Sequence, residues 1–290
     1  MQITGERIMR LLVAVALSIA ISSGVARADE AKPAAPAKPV PDPIPAEAMV
    51  ACVDCDQPFD LATHKQILAA LRTNGYVGEL RNALYTQDFI HQRQSKAHFD
   101  NCDFDGATGY IDELLQEVGA HVAAAENAKS LGQQGRMRSE IKKAFFSLGQ
   151  ALHAVQDFYA HSNYVEMTAP RAKRVEDIEL VAPWRAEGRE TIKRLRGAGL
   201  VSGVWTLGTP KSCPSGAPSH GELAKDSEDT PSGKRQVAQL QDITQYRVAV
   251  FLAREDSLAL LRDAYKKWPL LKQVAGPNVF LDVIIDRRES

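Results

Sequence analysis

The sequence predicts an all-α protein, a multi-helix bundle with a long loop at 200–235. Three observations predict it. Apolar residues recur at helical spacing from about residue 60 to 268, and strand-like alternation is confined to 279–285, Val279 to Ile285. The third is residues 141–161, IKKAFFSLGQALHAVQDFYAH. At 100° per residue, Ile141, Phe145, Leu148, Leu152, Val155 and Tyr159 share one stripe. His153, Asp157 and His161 recur every four residues and stack on nearly the opposite face. Phe146, Gly149, Ala154, Phe158 and Ala160 lie around them, and from 151 onward this helix is apolar almost all round and reads as buried. Two imidazoles and a carboxylate are costly to bury unless paired, hydrogen-bonded or bound to a metal. Taken alone, the row fits a metal site and a structural His153–Asp157 ion pair equally well.

In chain order, Arg7 and Arg10 precede an apolar run from Leu11 to Ile21, followed by Val25-Ala26-Arg27-Ala28. This predicts a secretory signal peptide over 1–28, cut after Ala28; the run is too short to span a bilayer. The leader holds three arginines and one glutamate, so its removal takes the net charge from −1 to −3. That balance gives no electrostatic footprint for duplex nucleic acid, and none is expected as a partner. The expected location is exported, periplasmic or secreted. Residues 29–50, DEAKPAAPAKPVPDPIPAEAMV, form a Pro/Ala-rich linker of the polyproline type. A helical metal-binding domain is expected over 51–275 and a C-terminal tail, an edge strand or extended piece, over 276–290.

Within the domain, Asp60 caps a helix through His64, Ile67, Leu68 and Leu71 that closes at Gly75. A second helix is expected from Val77 to Arg93 and a third from Gly106 to Ala128, with Tyr110, Ile111, Leu114, Leu115, Val118 and Val122 at helical spacing. After the 141–161 helix come a charged segment at 186–197 and a long helix from Val237 to Trp268. Four cysteines, Cys52, Cys55, Cys102 and Cys213, allow three pairings. Export favours oxidation, and the preferred set is Cys52–Cys55 with Cys102–Cys213.

The remaining ionisable candidates lie in four places. His64 sits in LATHKQILAALR, Asp88 in YTQDFIHQRQ, and His98 with Asp100 in KAHFDNCDF. His220, Glu222 and Asp226 fall in the Gly/Pro/Ser-rich loop. His91 and His121 do not stand out, although His91 shares a face with Asp88.

LGQALHAVQDFYAHSNYVE, with AHFDN upstream and SHGELAKDS downstream, resembles the Het-C-like branch of the zinc-dependent phospholipase C and P1 nuclease superfamily. The resemblance runs from about His64 to Asp226. It implies an all-α bundle of phospholipase C/P1 nuclease type holding zinc through His64, Asp88, His98, His153, Asp157, His161 and His220, with Glu222 or Asp226 as a late carboxylate. Asp157 is then the natural bridging carboxylate, and Asp88 a ligand or a base aligning water. Two departures matter. Phospholipase C members ligate a third metal through an amino-terminal Trp, whereas the expected terminus here is Asp29, so two zinc ions are implied. The x3 spacing of Asp157 and His161 and the following Ser162-Asn163-Tyr164-Val165-Glu166 favour the Het-C side, with Glu166 supporting a ligand rather than serving as one.

Zinc takes imidazole nitrogen and carboxylate oxygen, and a catalytic zinc keeps a position open for water. It lowers the pKa of that water to roughly 7, and two ions about 3.5–4 Å apart can hold both the attacking oxygen and the phosphoryl oxygen. The expected function is therefore an exported zinc-dependent phosphoester hydrolase acting on a phospholipid or phosphodiester, with membrane-surface contact. The alternative is a non-catalytic Het-C-like interaction or toxin-type protein with structural metal. A third, a single-strand nuclease, needs stacking aromatics and a basic groove that the sequence does not display.

Overall fold

A computed structural model describes His64 and residues 76–275 of the chain. The expected leader, linker, Cys52–Cys55 bridge, strand-like 279–285 piece and tail lie outside the described residues. So does the first expected helix, apart from His64, whose own backbone is helical.

The fold is mostly helical. Helix α1 runs Val77–Ile90, the short α2 Ser95–His98, α3 Phe104–Ser130 and α4 Gln134–His161. The short α5, Tyr164–Thr168, follows, and then α6, Ala186–Gly197. Next come α7, His220–Leu223, then α8, Gln245–Lys267, and α9, Pro269–Ala275. Helix α4 is the axis: α1, α3 and α8 all pack against it. Its amino-terminal turns are exposed at Arg136, Arg138 and Lys142, whereas every residue from Ser147 to Ser162 is buried. Both the apolar stripe and the opposing polar row therefore lie in the interior. Gly149 lets α1 approach, because a Cβ there would lie 2.6 Å from Ala83 Cβ and from the Leu80 carbonyl oxygen.

Several boundaries move for identifiable reasons. Helix α3 starts two residues before the expected Gly106 because Asp103 caps it, its carboxylate accepting from Gly106 N at 3.2 Å. Helix α1 ends at Ile90, three residues before the expected Arg93. The largest correction concerns 237–244. The sequence predicts helix from Val237, but Gln236–Val237 (β1) and Ile243–Thr244 (β2) pair as a two-stranded antiparallel sheet. Gln241 and Asp242, at φ 59° and 58°, take the left-handed conformation that reverses the chain. Thr244 then caps α8, accepting from Arg247 N at 3.3 Å.

The 200–235 segment is largely irregular, as expected, but it is closely pinned. Cys102 and Cys213 form a disulfide. Gly203 N donates to the His161 carbonyl at 2.9 Å, satisfying one of the orphan carbonyls at the end of α4. A Cβ on Gly203 would lie 2.6 Å from His220 Cα, so glycine lets the loop pass directly beneath that histidine. Among the described residues, no helix is long and apolar enough to cross a membrane.

Candidate metal centre

Two adjacent polar loci lie along the last two turns of α4. The first gathers His64, Asp88 from α1, His98 from α2, and His153 and Asp157 from α4. Asp157 is its hub: Oδ2 lies 2.8 Å from His153 Nε2 and 2.9 Å from His98 Nδ1, and Oδ1 lies 3.2 Å from His64 Nε2. His98 Nδ1 and His153 Nε2 are 3.2 Å apart, and Asp88 Oδ1 is 3.6 Å from His153 Nε2. His153 and Asp157 have no exposed surface, whereas the Asp88 side chain is 26% exposed and forms the rim.

The second locus gathers Asp100, His161, His220 and Asp226. His161 Nε2 lies 3.2 Å from Asp226 Oδ1, and His220 Nε2 lies 3.5 Å from Asp226 Oδ2. The other nitrogens are occupied: His161 Nδ1 faces the His98 carbonyl at 2.9 Å and His220 Nδ1 faces Asp100 Oδ1 at 3.0 Å. A carboxylate or carbonyl held on one imidazole nitrogen fixes the tautomer and aims the other at a metal. His64 is held likewise, with Gln156 Oε1 on Nδ1 at 2.5 Å and Nε2 turned to Asp157.

The donor set fits a divalent cation. In a tetrahedral zinc site with ligand bonds of about 2.0 Å, neighbouring donor atoms stand about 3.3 Å apart. The His98–His153–Asp157 triangle, with edges of 2.8, 2.9 and 3.2 Å, is close to that spacing. Protons alone satisfy it poorly, since two imidazole nitrogens face each other and share one carboxylate oxygen. Asp88 Oδ2 is a buried atom with no hydrogen-bond partner among the described residues, and so are His98 Nε2 and His153 Nδ1, the two ring nitrogens outside that triangle. His64–Asp88–His153, His98–His153–Asp157 and Asp100–His161–His220 each form a group able to hold a metal ion.

The electrostatics agree. Burial opposes ionisation of Asp157, yet the imidazoles of His153, His161 and His64 hold its carboxyl well below the ordinary range. Burial also opposes charge on His64, but Asp157 and Asp88 raise it to about 8. His153 is pushed down, by desolvation first and by the neighbouring His64. At the second locus, burial is outweighed by Asp157, Asp100 and Asp226 at His161, which is held well above its usual value. His220, despite burial and the adjacent His161, is carried to about 9 by Asp100 and Asp226. Both loci therefore favour positive charge, which protons or a cation can supply.

Of the two late carboxylates left open by the sequence, Asp226 faces the imidazoles. Glu222 does not: its carboxylate accepts from Ser219 N at 2.8 Å and Ser219 Oγ at 2.7 Å, closing a capping box on α7. Asp100 belongs to the second locus, although the sequence offered it no role beyond its place beside His98. It is presented by a strained turn in which Phe99, Asn101 and Cys102 all have φ between 52° and 57°. Asn101 anchors that turn by donating to Ser95 Oγ at 2.7 Å and accepting from Trp205 N at 2.9 Å. His91 and His121 lie apart, against Gln94 and Glu140 respectively.

A family model described as the VWA7 N-terminal domain matches residues 62–177. No curated protein and no solved structure matches the chain. The matched stretch holds all of the first locus together with Asp100 and His161, whereas His220 and Asp226 lie beyond it.

Proposed function

We propose that the protein is an exported zinc-binding hydrolase of phosphoesters, related to the Het-C-like branch of the phospholipase C and P1 nuclease superfamily. The observation that carries the reading is the convergence of three imidazoles on the buried Asp157 carboxylate, with Asp88 at the rim. Zinc bound there would polarise a phosphoryl oxygen and make water available as a nucleophile near neutral pH. The residues holding it would be His64, His98, His153 and Asp157 at the first locus and His161, His220 and Asp226 at the second.

This chain's own groups have separable tasks. Asp157 offers both carboxylate oxygens, one toward His64 and one toward His98 and His153, and so links the donors of the first locus. Gln156 keeps the proton of His64 on Nδ1. Asp88 is the most exposed member of the first locus, and the oxygen of it that is unengaged among the described residues, Oδ2, is the buried one, turned inward from the rim. It is the group able to orient an entering water or accept its proton. The Cys102–Cys213 disulfide fits the oxidising compartment that the leader implies.

The near-complete burial of His64, His153 and Asp157 favours a second reading, in which the metal holds the helices together and the function is interaction. Elemental analysis of protein purified without chelator tests the shared premise. At least one zinc per chain is expected, lowered in His153→Ala. Metal-free wild type would remove both readings. Hydrolysis of a chromogenic phosphodiester or of phosphatidylcholine vesicles, blocked by chelator and restored by zinc, then separates the first reading from the second.

A further inference from the structure

Lys225 is buried with no exposed side-chain surface, among residues that carry the second locus. A lysine so placed is costly unless its ammonium is fully engaged. Its Nζ donates to the Ser162 carbonyl at 2.9 Å, to the Leu223 carbonyl at 3.0 Å and to Glu166 Oε1 at 3.2 Å. Its backbone N donates to the Ala160 carbonyl at 3.0 Å. The residue thus grips the chain immediately before and immediately after His161. Through Leu223 it also reaches the end of α7, the helix that His220 opens, and the next residue in sequence is Asp226. Both carbonyls gripped by Nζ lie at helix carboxyl ends, where a cation complements the helix dipole. Glu166 supplies the counter-charge and is itself held by Ser232 Oγ at 2.5 Å.

We propose that Lys225 is a positioning residue: by joining the carboxyl ends of α4 and α7 it holds His161, His220 and Asp226 in register for a divalent cation. The proposal rests on the cation-binding reading above and adds to it the element that assembles the second locus. Asp226 lies on irregular backbone after α7, and His220 on a helix of only four residues. Without the ammonium, the Lys225 N–Ala160 carbonyl bond and the His161–Asp226 contact remain, but the carboxyl ends of α4 and α7 lose the cation that they share.

The test is a titration of metal-free full-length protein with Co(II), read by visible absorption and by equilibrium dialysis. His220→Ala identifies the signal of the second locus. Wild type should take up Co(II) in two classes. In Lys225→Met the class lost in His220→Ala should weaken at least tenfold while the other keeps its wild-type affinity, and Lys225→Arg should recover part of the loss. Where Lys225→Met does not fold, Glu166→Gln decides, because it keeps the ammonium and both carbonyl partners but removes the counter-charge; the same selective weakening is expected. Unchanged binding in both classes, or equal weakening of both, would overturn the positioning role. Wild type that binds no Co(II) would instead overturn the cation reading and this proposal with it.

Discussion

Gln156 decides which nitrogen His64 presents. Its Oε1 lies 2.5 Å from His64 Nδ1, and its Nε2 donates to Ser257 Oγ at 3.0 Å, so the amide is fixed from α8 and in turn fixes the imidazole. Gln156→Ala should therefore lower metal affinity about 10–100-fold while leaving most of the helical content in place. Competition against a chromophoric chelator measures the first and far-UV circular dichroism the second. Gln156→Glu, which keeps an acceptor at the same place, should retain more affinity than Gln156→Ala; the reverse order would show that Gln156 acts by packing alone.

Asp157→Asn keeps the shape of the hub and removes its charge. Three imidazoles then face a neutral amide, one of whose ends is a donor. Breaking a buried ion pair in this way typically costs about 3–5 kcal/mol, and a metal site adds its binding energy to folding. The expected outcome is a large loss of thermal stability in the zinc-loaded protein, with bound zinc falling in parallel. A variant that keeps full zinc content would show that Asp157 is not a ligand.

The disulfide offers a separate check. Denatured protein should show no free thiol at Cys102 or Cys213, and Cys102→Ser with Cys213→Ser should destabilise the fold by roughly 2–5 kcal/mol. The bridge joins the turn bearing Asp100 to the loop leading to His220, with Cys102 N donating to Ser202 Oγ at 2.8 Å. The double variant should also weaken metal binding, more in the class that His220→Ala removes than in the other.

Asp256 gives a pH prediction away from the metal loci. Its Oδ2 accepts from Tyr159 OH at 2.7 Å and from Ala182 N at 3.0 Å, while Oδ1 has no partner among the described residues. Burial raises its carboxyl to about 6, against the opposing pull of the Tyr159 and Ala182 donors and of Arg185. The fold therefore binds this proton more tightly than the unfolded chain does. The stability this contributes is fully present below about pH 4 and is lost as pH rises through about 6. In urea unfolding of metal-free protein, the difference between wild type and Asp256→Asn should change by about 2–3 kcal/mol across that window and be flat above it. A difference independent of pH would mean that Asp256 ionises freely.

These residues also mark where the sequence is informative. The axis of the fold was legible, because a 3.6-residue apolar period interrupted by His153, Asp157 and His161 points to one buried helix with a polar row. The start of α7 was legible in principle too: Ser219-His220-Gly221-Glu222 is a capping-box pattern that already engages Glu222 and leaves Asp226 for the site. Asp100 was not, because it depends on left-handed backbone at Phe99 and Cys102, residue types that carry no such signal. Nor was Lys225, since lysine is a surface residue by default and its burial follows from carbonyls contributed by two helix ends. The β1–β2 hairpin was missed because Val237 and Leu240 continue the apolar spacing of α8, while the reversal is made at Gln241 and Asp242.

Asp88 separates catalyst from scaffold. It stands at the rim of the first locus, 3.6 Å from His153 Nε2, with one oxygen unengaged among the described residues. Asp88→Asn leaves Asp157 and its three imidazoles intact, so zinc content and melting temperature should change little. An amide neither accepts a proton nor orients water as a carboxylate does, and loss of a general base costs about 10²–10⁴-fold in rate. If the protein hydrolyses phosphoesters as proposed, kcat on a chromogenic phosphodiester should fall by that factor in a folded, zinc-loaded variant. Equal loss of zinc and of rate would make Asp88 a ligand whose removal empties the site. Should wild type carrying full zinc hydrolyse no phosphodiester or phospholipid, the interaction reading prevails. Asp88→Asn would then matter only through its modest effect on zinc affinity.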